Sequence, residues 1–78
     1  MSPELRAALE AAIEGKQHES LYPRHTEAMN YEIGYLDAVM WFAEKNPRVP
    51  DRALCQCWGD VIQAAIPAAL WDRVSKEG

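Results

Sequence analysis

The sequence predicts an all-α protein: a small antiparallel bundle of three main helices plus a short C-terminal helix, paired as a homodimer. Three observations carry that expectation. Apolar residues recur at three- and four-residue spacing along several segments. The breaks between those segments fall at Gly15, Pro23, Asn46-Pro47 and Pro67, where a helix is hard to continue. Finally, 78 residues make one domain, 1–78, near the size where a single core is only marginally sufficient. Chains this short often add a disulfide, a metal or a second subunit.

The first helix is signalled at its start by Ser2, which can cap free backbone amides, by Pro3 at the first helical position, and by Glu4 near the positive end of the dipole. Leu5, Leu9, Ala12 and Ile13 give it a narrow apolar stripe, which places it on the outside of the bundle, and Gly15 is the expected stop. Residues 16–25 read as the longest irregular stretch, since Pro23 forbids a continuous helix, with Leu21 and Tyr22 tucked against the core. Thr26 is the expected N-cap of a second helix running to about Lys45. Pro47-Arg48-Val49-Pro50 is a rigid connector, and the third helix starts at Val49 or Asp51 and continues to about Ala65. Pro67 breaks the chain near Ile66, after which Leu70, Trp71 and Val74 mark a short last helix with residues 75–78 frayed.

The second helix is the unusual element. At about 100° per residue, Met29, Ile33, Leu36, Met40 and Ala43 form one apolar stripe, extended by Val39 and Ala28. Tyr31, Tyr35, Ala38 and Phe42 form a second stripe beside the first. Together they span roughly 220° of the circumference, against the ~100° or slightly more of an ordinary surface helix. Two arrangements satisfy this surplus. The other helices wrap the element on both sides, or the Tyr31/Tyr35/Phe42 stripe meets a second chain; the scarcity of large side chains on the first helix favours the second, and a twofold dimer is the commonest form of such pairing. The remaining strip holds Glu27, Asn30, Gly34, Asp37, Glu44 and Lys45, with Trp41 in its middle. Trp41 is either covered by residues 16–25, the ordinary state of a tryptophan, or exposed as a contact. Gly34 costs about 1 kcal/mol relative to Ala in mid-helix, and would allow another backbone to approach beside Trp41. Glu32 interrupts the apolar arc, so it needs a partner such as Arg24, Arg6 or Arg73, or a route to water past the helix end.

Charge and motifs narrow the function classes. A net charge of −4 and a pI near 5.0 disfavour a phosphate-backbone partner and suit a basic protein surface, or serve solubility alone. The start Met1-Ser2-Pro3-Glu4 lacks a basic region followed by an apolar run, and no stretch approaches the roughly 18 apolar residues of a membrane span. The cytoplasm is therefore the expected compartment. Cys55-Gln56-Cys57 invites a metal reading with His18 and His25, but residues two apart on a helix point about 200° apart, so the sulfurs cannot converge. Both read as small apolar residues, Cys57 towards the core and Cys55 at its edge. His18, Glu19 and His25 lack a recognisable nucleophile or orienting partner and read as solvated loop residues, so neither catalysis nor a cofactor is expected. The basic cluster of Lys45, Arg48 and Arg52 around the connector suggests a helix-turn-helix, yet the third helix opens Asp51-Arg52-Ala53-Leu54-Cys55, poor in base-reading side chains.

The function expected from these readings is a protein-binding module, an adaptor or stoichiometric inhibitor that occupies a partner's surface. Tyr31, Tyr35, Trp41 and Phe42 are the candidate apolar contacts, and Asp37 and Glu44 the candidate steering charges. The size and acidity are those of phage and mobile-element products that block host proteins, an analogy with no motif behind it. A small dimeric DNA-binding regulator and a small metal-binding or enzyme-subunit protein are the alternative classes.

Overall fold

The computed structural model describes residues 1–19 and 26–77, with the side chains at positions 19, 26–29 and 77 outside that description. The described residues form four helices, α1 (Pro3–Glu19), α2 (Thr26–Lys45), α3 (Asp51–Ala65) and α4 (Ala68–Glu77), packed as a small bundle. The helix starts and stops show local chemistry at work. Ser2 caps α1 as expected, its Oγ accepting from the Leu5 N–H at 3.2 Å. At the C-terminus of α2 the Asn46 side chain donates from Nδ2 to the Phe42 carbonyl at 2.9 Å, a second donor to the oxygen that already accepts the Asn46 backbone N–H at 3.0 Å. Ile66 is extended at φ −114°, ψ 159°, the conformation a following proline imposes, and the Pro67 carbonyl accepts from Trp71 N–H to open α4.

Two boundaries differ from the sequence expectation. Gly15 does not end α1, which continues through Lys16 and His18 to Glu19. Gly15 has no positive φ, so it is an ordinary helical residue. The extra turn is held at its end by an ion pair between Lys16 and Glu32 of α2, and Lys16 and His18 lie where cations favour the helix dipole. The chain end is likewise helical to Glu77, with Val74 buried and an ion pair between Arg73 and Glu4 tying α4 to the start of α1. The expectations for Leu21, Tyr22, Pro23, Arg24 and His25 fall outside the described residues.

Cross-helix contacts give the directions. Arg6 reaches Glu44 at 3.8 Å while Lys16 pairs with Glu32, so α1 and α2 run antiparallel. The Ser2 N–H donates to Asp51 Oδ1 at 2.7 Å, which joins the starts of α1 and α3. The core lies between them, with Leu5 and Leu9 of α1, Leu36, Val39 and Ala43 of α2, Leu54 and Ile62 of α3, and Val74 of α4 buried. Contrary to the narrow-stripe argument, α1 is therefore a full core element. Its two leucines are one turn apart and completely covered, and Ala8, Ala12 and Ile13 pack partly buried against the same core.

α3 is not a regular helix. Trp58, at φ −125° and ψ 24°, breaks it in the middle. Its fully buried line runs through Asp51, Leu54, Cys55 and Ile62, with Trp58, Val61 and Ala65 partly buried beside it. Asp51 is turned inward to accept from Ser2, and Cys55, one turn on, shares that inward face while Cys57 is exposed, the reverse of the expected placement. After the break, Gly59 sits against α4, where an added Cβ would meet the Trp71 ring at 3.4 Å.

Candidate functional site

The core side of α2 matches the first stripe read from the sequence. Leu36, Val39 and Ala43 are buried, and Ile33 and Met40 are half-buried. Met29 lies among the residues whose side chains are not described. Glu32 falls within this arc but is exposed, and neither Arg6 nor Arg73 pairs with it, while Arg24 lies outside the described residues. Glu32 sits beside the last turn of α1, where Lys16 meets it at the solvent edge.

The second stripe divides along its length. At its C-terminal end Phe42 is half-buried and packs against Trp58 of α3, ring centroids 6.3 Å apart and planes tilted by 56°. That geometry is an ordinary aromatic packing contact within the core. Phe42 is thus half-buried, with one side packed within its own chain. At the N-terminal end Tyr31 and Tyr35 are 63% and 54% exposed, and Tyr35 borders a cleft that Val61, Ala64 and Ala65 of α3 also line.

Trp41 is 61% exposed, so the covered state expected for it is not found. Tyr31, Tyr35 and Trp41 are the large apolar side chains exposed among the described residues, and all three belong to α2. At about 100° per residue they flank one arc, with Trp41 on one side, Tyr31 and Tyr35 on the other, and Gly34 and Ala38 between them. Beyond its own helix backbone, no described residue lies within 4 Å of where a Cβ on Gly34 would stand. The arrangement is a shallow floor of small residues walled by aromatic rings. Sequence reading placed Trp41 and the tyrosines on separate surfaces; the structure gives them one. The signal was present in the spacing, because Tyr31, Gly34, Ala38 and Trp41 alternate by three and four.

The two acidic candidates flank this face differently. Asp37 is exposed beyond Trp41. Glu44 is also exposed but stands within 3.8 Å of Arg6, so part of its charge is answered within the chain. Lys45, Arg48 and Arg52 are exposed around the connector, while the first residue of α3 is the inward-facing Asp51.

Elsewhere, no group of three His, Cys, Asp or Glu side chains that could hold a metal occurs among the described residues. His18 is exposed on the last turn of α1, well separated in the chain from Cys55 and Cys57, and His25 is outside the description. Burial pushes the Cys55 thiol above its ordinary range, and the nearby Asp51 charge adds to the shift. A raised thiol is a poor nucleophile at neutral pH, which suits a packing role. Buried side-chain nitrogens and oxygens all have partners among the described residues, so none is left aimed at an absent ligand. No helix is long and apolar enough to cross a membrane among those residues. Comparison with protein-family models, with curated proteins and with solved structures gives no match to this chain, so the α2 face is read from its own geometry.

Proposed function

We infer that this chain is a protein-binding module that works by occupying a partner's surface, as an adaptor or a stoichiometric inhibitor, without bond chemistry. One observation carries the reading: the exposed large apolar side chains gather on a single face of α2, around the bare floor of Gly34 and Ala38. Isolated exposed apolar residues are normal on any protein, whereas a contiguous aromatic patch marks a contact surface. Tyr and Trp also combine large contact area with few rotatable bonds, so ordering them on binding costs little. Asp37 and Glu44 stand exposed at the edge of this face and act on the encounter rate more than on the final affinity.

A photo-crosslinking amino acid at Trp41 tests this in the native cell, with the same group at the exposed Ala7 of α1 as the control. Protein adducts are expected from position 41 and not from position 7. Equal labelling at both, or none at either, overturns the reading.

A further inference from the structure

We propose that the occupant of the α2 face is a second copy of this chain, its α2 lying antiparallel across the first about a twofold axis at Leu36. The proposal rests on reading the face as a docking surface and adds which partner fits it. Outward from Leu36, Gly34 and Ala38 are equidistant on either side, then Tyr31 and Trp41, then Glu27 and Lys45. Along the helix these positions alternate by four and three residues, the spacing of a seam that faces a second helix.

Antiparallel pairing about Leu36 therefore brings each position level with its complement. The small Gly34 faces the small Ala38 of the second copy, which lets the two backbones approach at the short end of the usual 8–10 Å interaxial range. Tyr31 lies level with Trp41 at both ends, an aromatic pair made twice by symmetry. The outermost positions set a glutamate in the sequence level with a lysine. On the two flanks next to the axis, Tyr35 comes beside Tyr35 of the second copy and Asp37 beside Asp37, so the apolar and small-residue layers must outweigh one like-charge contact at the solvent edge.

Parallel pairing gives none of this. It would set Lys45 against Lys45 and leave Gly34 facing Gly34 beside colliding tryptophans. The open space at Gly34, which no other element among the described residues fills, is what an approaching backbone requires. A single such face is self-complementary, so the pairing closes at two and does not propagate.

The full chain is tested first by light scattering with chromatography over a wide concentration range. A particle of twice 8.8 kDa is expected, and a species that remains at 8.8 kDa throughout overturns the proposal. Orientation is tested by oxidation in a Cys55→Ala/Cys57→Ser background. An equimolar mixture of Gly34→Cys and Ala38→Cys chains should form a mixed disulfide at least tenfold faster than either chain pairs with itself. In the antiparallel register two copies of position 34 stand offset by about 6 Å along the axis, whereas parallel pairing sets them level. Faster self-pairing of Gly34→Cys overturns the orientation, and circular dichroism of each variant confirms that the helices are retained. A monomer in scattering that still gives foreign-protein adducts from position 41 sinks the second copy alone, while absence of adducts sinks the docking reading itself.

Discussion

The two sides of α2 are built from the same kinds of residue and have opposite surroundings. On one side Leu36, Val39 and Ala43 are buried by α1 and α3. On the other, Tyr31, Tyr35 and Trp41 stand in water around Gly34 and Ala38. The difference lies in the neighbours. α1 brings two completely buried leucines to the core side, and α3 brings Leu54 and Ile62. On the flank of the second stripe α3 packs Trp58 on Phe42, but leaves Tyr35 more than half exposed. Apolar character in a helix thus reports that a surface needs covering, and only the arrangement of the neighbours decides whether the chain does this itself. The core side should answer to folding, and the aromatic side to association.

The largest expected effect is on the core side. Leu36→Ala removes a completely packed side chain, and such truncations cost about 2–5 kcal/mol, a large part of the stability of a domain this small. Urea unfolding should show a midpoint far below that of the parent chain. Trp41→Ala, measured alongside, should leave the folding of the isolated chain within about 0.5 kcal/mol, as for surface sites generally. Similar losses at both positions would break the contrast.

A second effect concerns the Ser2–Asp51 pin between α1 and α3. Asp51→Ala leaves the Ser2 N–H without its acceptor and removes a carboxylate from the first turn, at a cost of about 1–3 kcal/mol. Asp51→Asn keeps an acceptor oxygen and should lose less. The rotation of α3 supplies a separate readout, since loss of the pin should let Cys55 react with a thiol reagent faster than in the parent. Unchanged Cys55 reactivity in Asp51→Ala would show that the Leu54 and Ile62 contacts set the rotation without the aspartate.

Glycine substitutions sharpen the comparison further because the two sites look alike within the chain. Gly15 and Gly34 both lie inside helices and, beyond their own helix backbone, have no described residue within 4 Å of an added Cβ. Alanine at either should stabilise the folded chain by about 0.5–1 kcal/mol, through a less flexible unfolded state and better helix propensity. Only Gly34→Ala should also weaken self-association, because its methyl group enters the space between the paired backbones. Equal association of the Gly15→Ala and Gly34→Ala chains would remove Gly34 from the contact.

How far the sequence revealed this follows from the range of each interaction. The ends of α2 and α3, the cap at Ser2 and the break at Pro67 rest on residues within one turn of each other, and all were legible. The core stripe of α2 was legible for the same reason, as a periodicity within one helix. Gly15 misled because its helix cost is smaller than what the Lys16–Glu32 pair and the adjoining packing recover, and those partners are 16 residues apart. Cys55 shares its inward face with Asp51, whose hydrogen bond from Ser2 spans 49 residues. The aromatic face was half visible. Its residues were identified, but Phe42 is half-buried because Trp58 reaches it, and the exposure of Trp41 depends on what fails to pack there. Absence of a neighbour has no local signature.

The smallest expected effect separates the edge of α2 from both of its sides. Glu44 and Arg6 are about half exposed and 3.8 Å apart, so the pair is screened by solvent and contributes about 0–1 kcal/mol to folding. Glu44→Gln should shift the urea midpoint barely, and salt near 1 M should shrink the shift further, because the Debye length there falls to about 3 Å, shorter than the separation of the pair. Association is where the same residue can act more strongly. If Glu44 steers a basic partner, Glu44→Gln should slow binding while leaving dissociation unchanged, and the slowing should vanish in high salt. A change confined to dissociation would instead make Glu44 a packed contact of the interface, and would move the boundary of the aromatic face to include the α1 side of the helix.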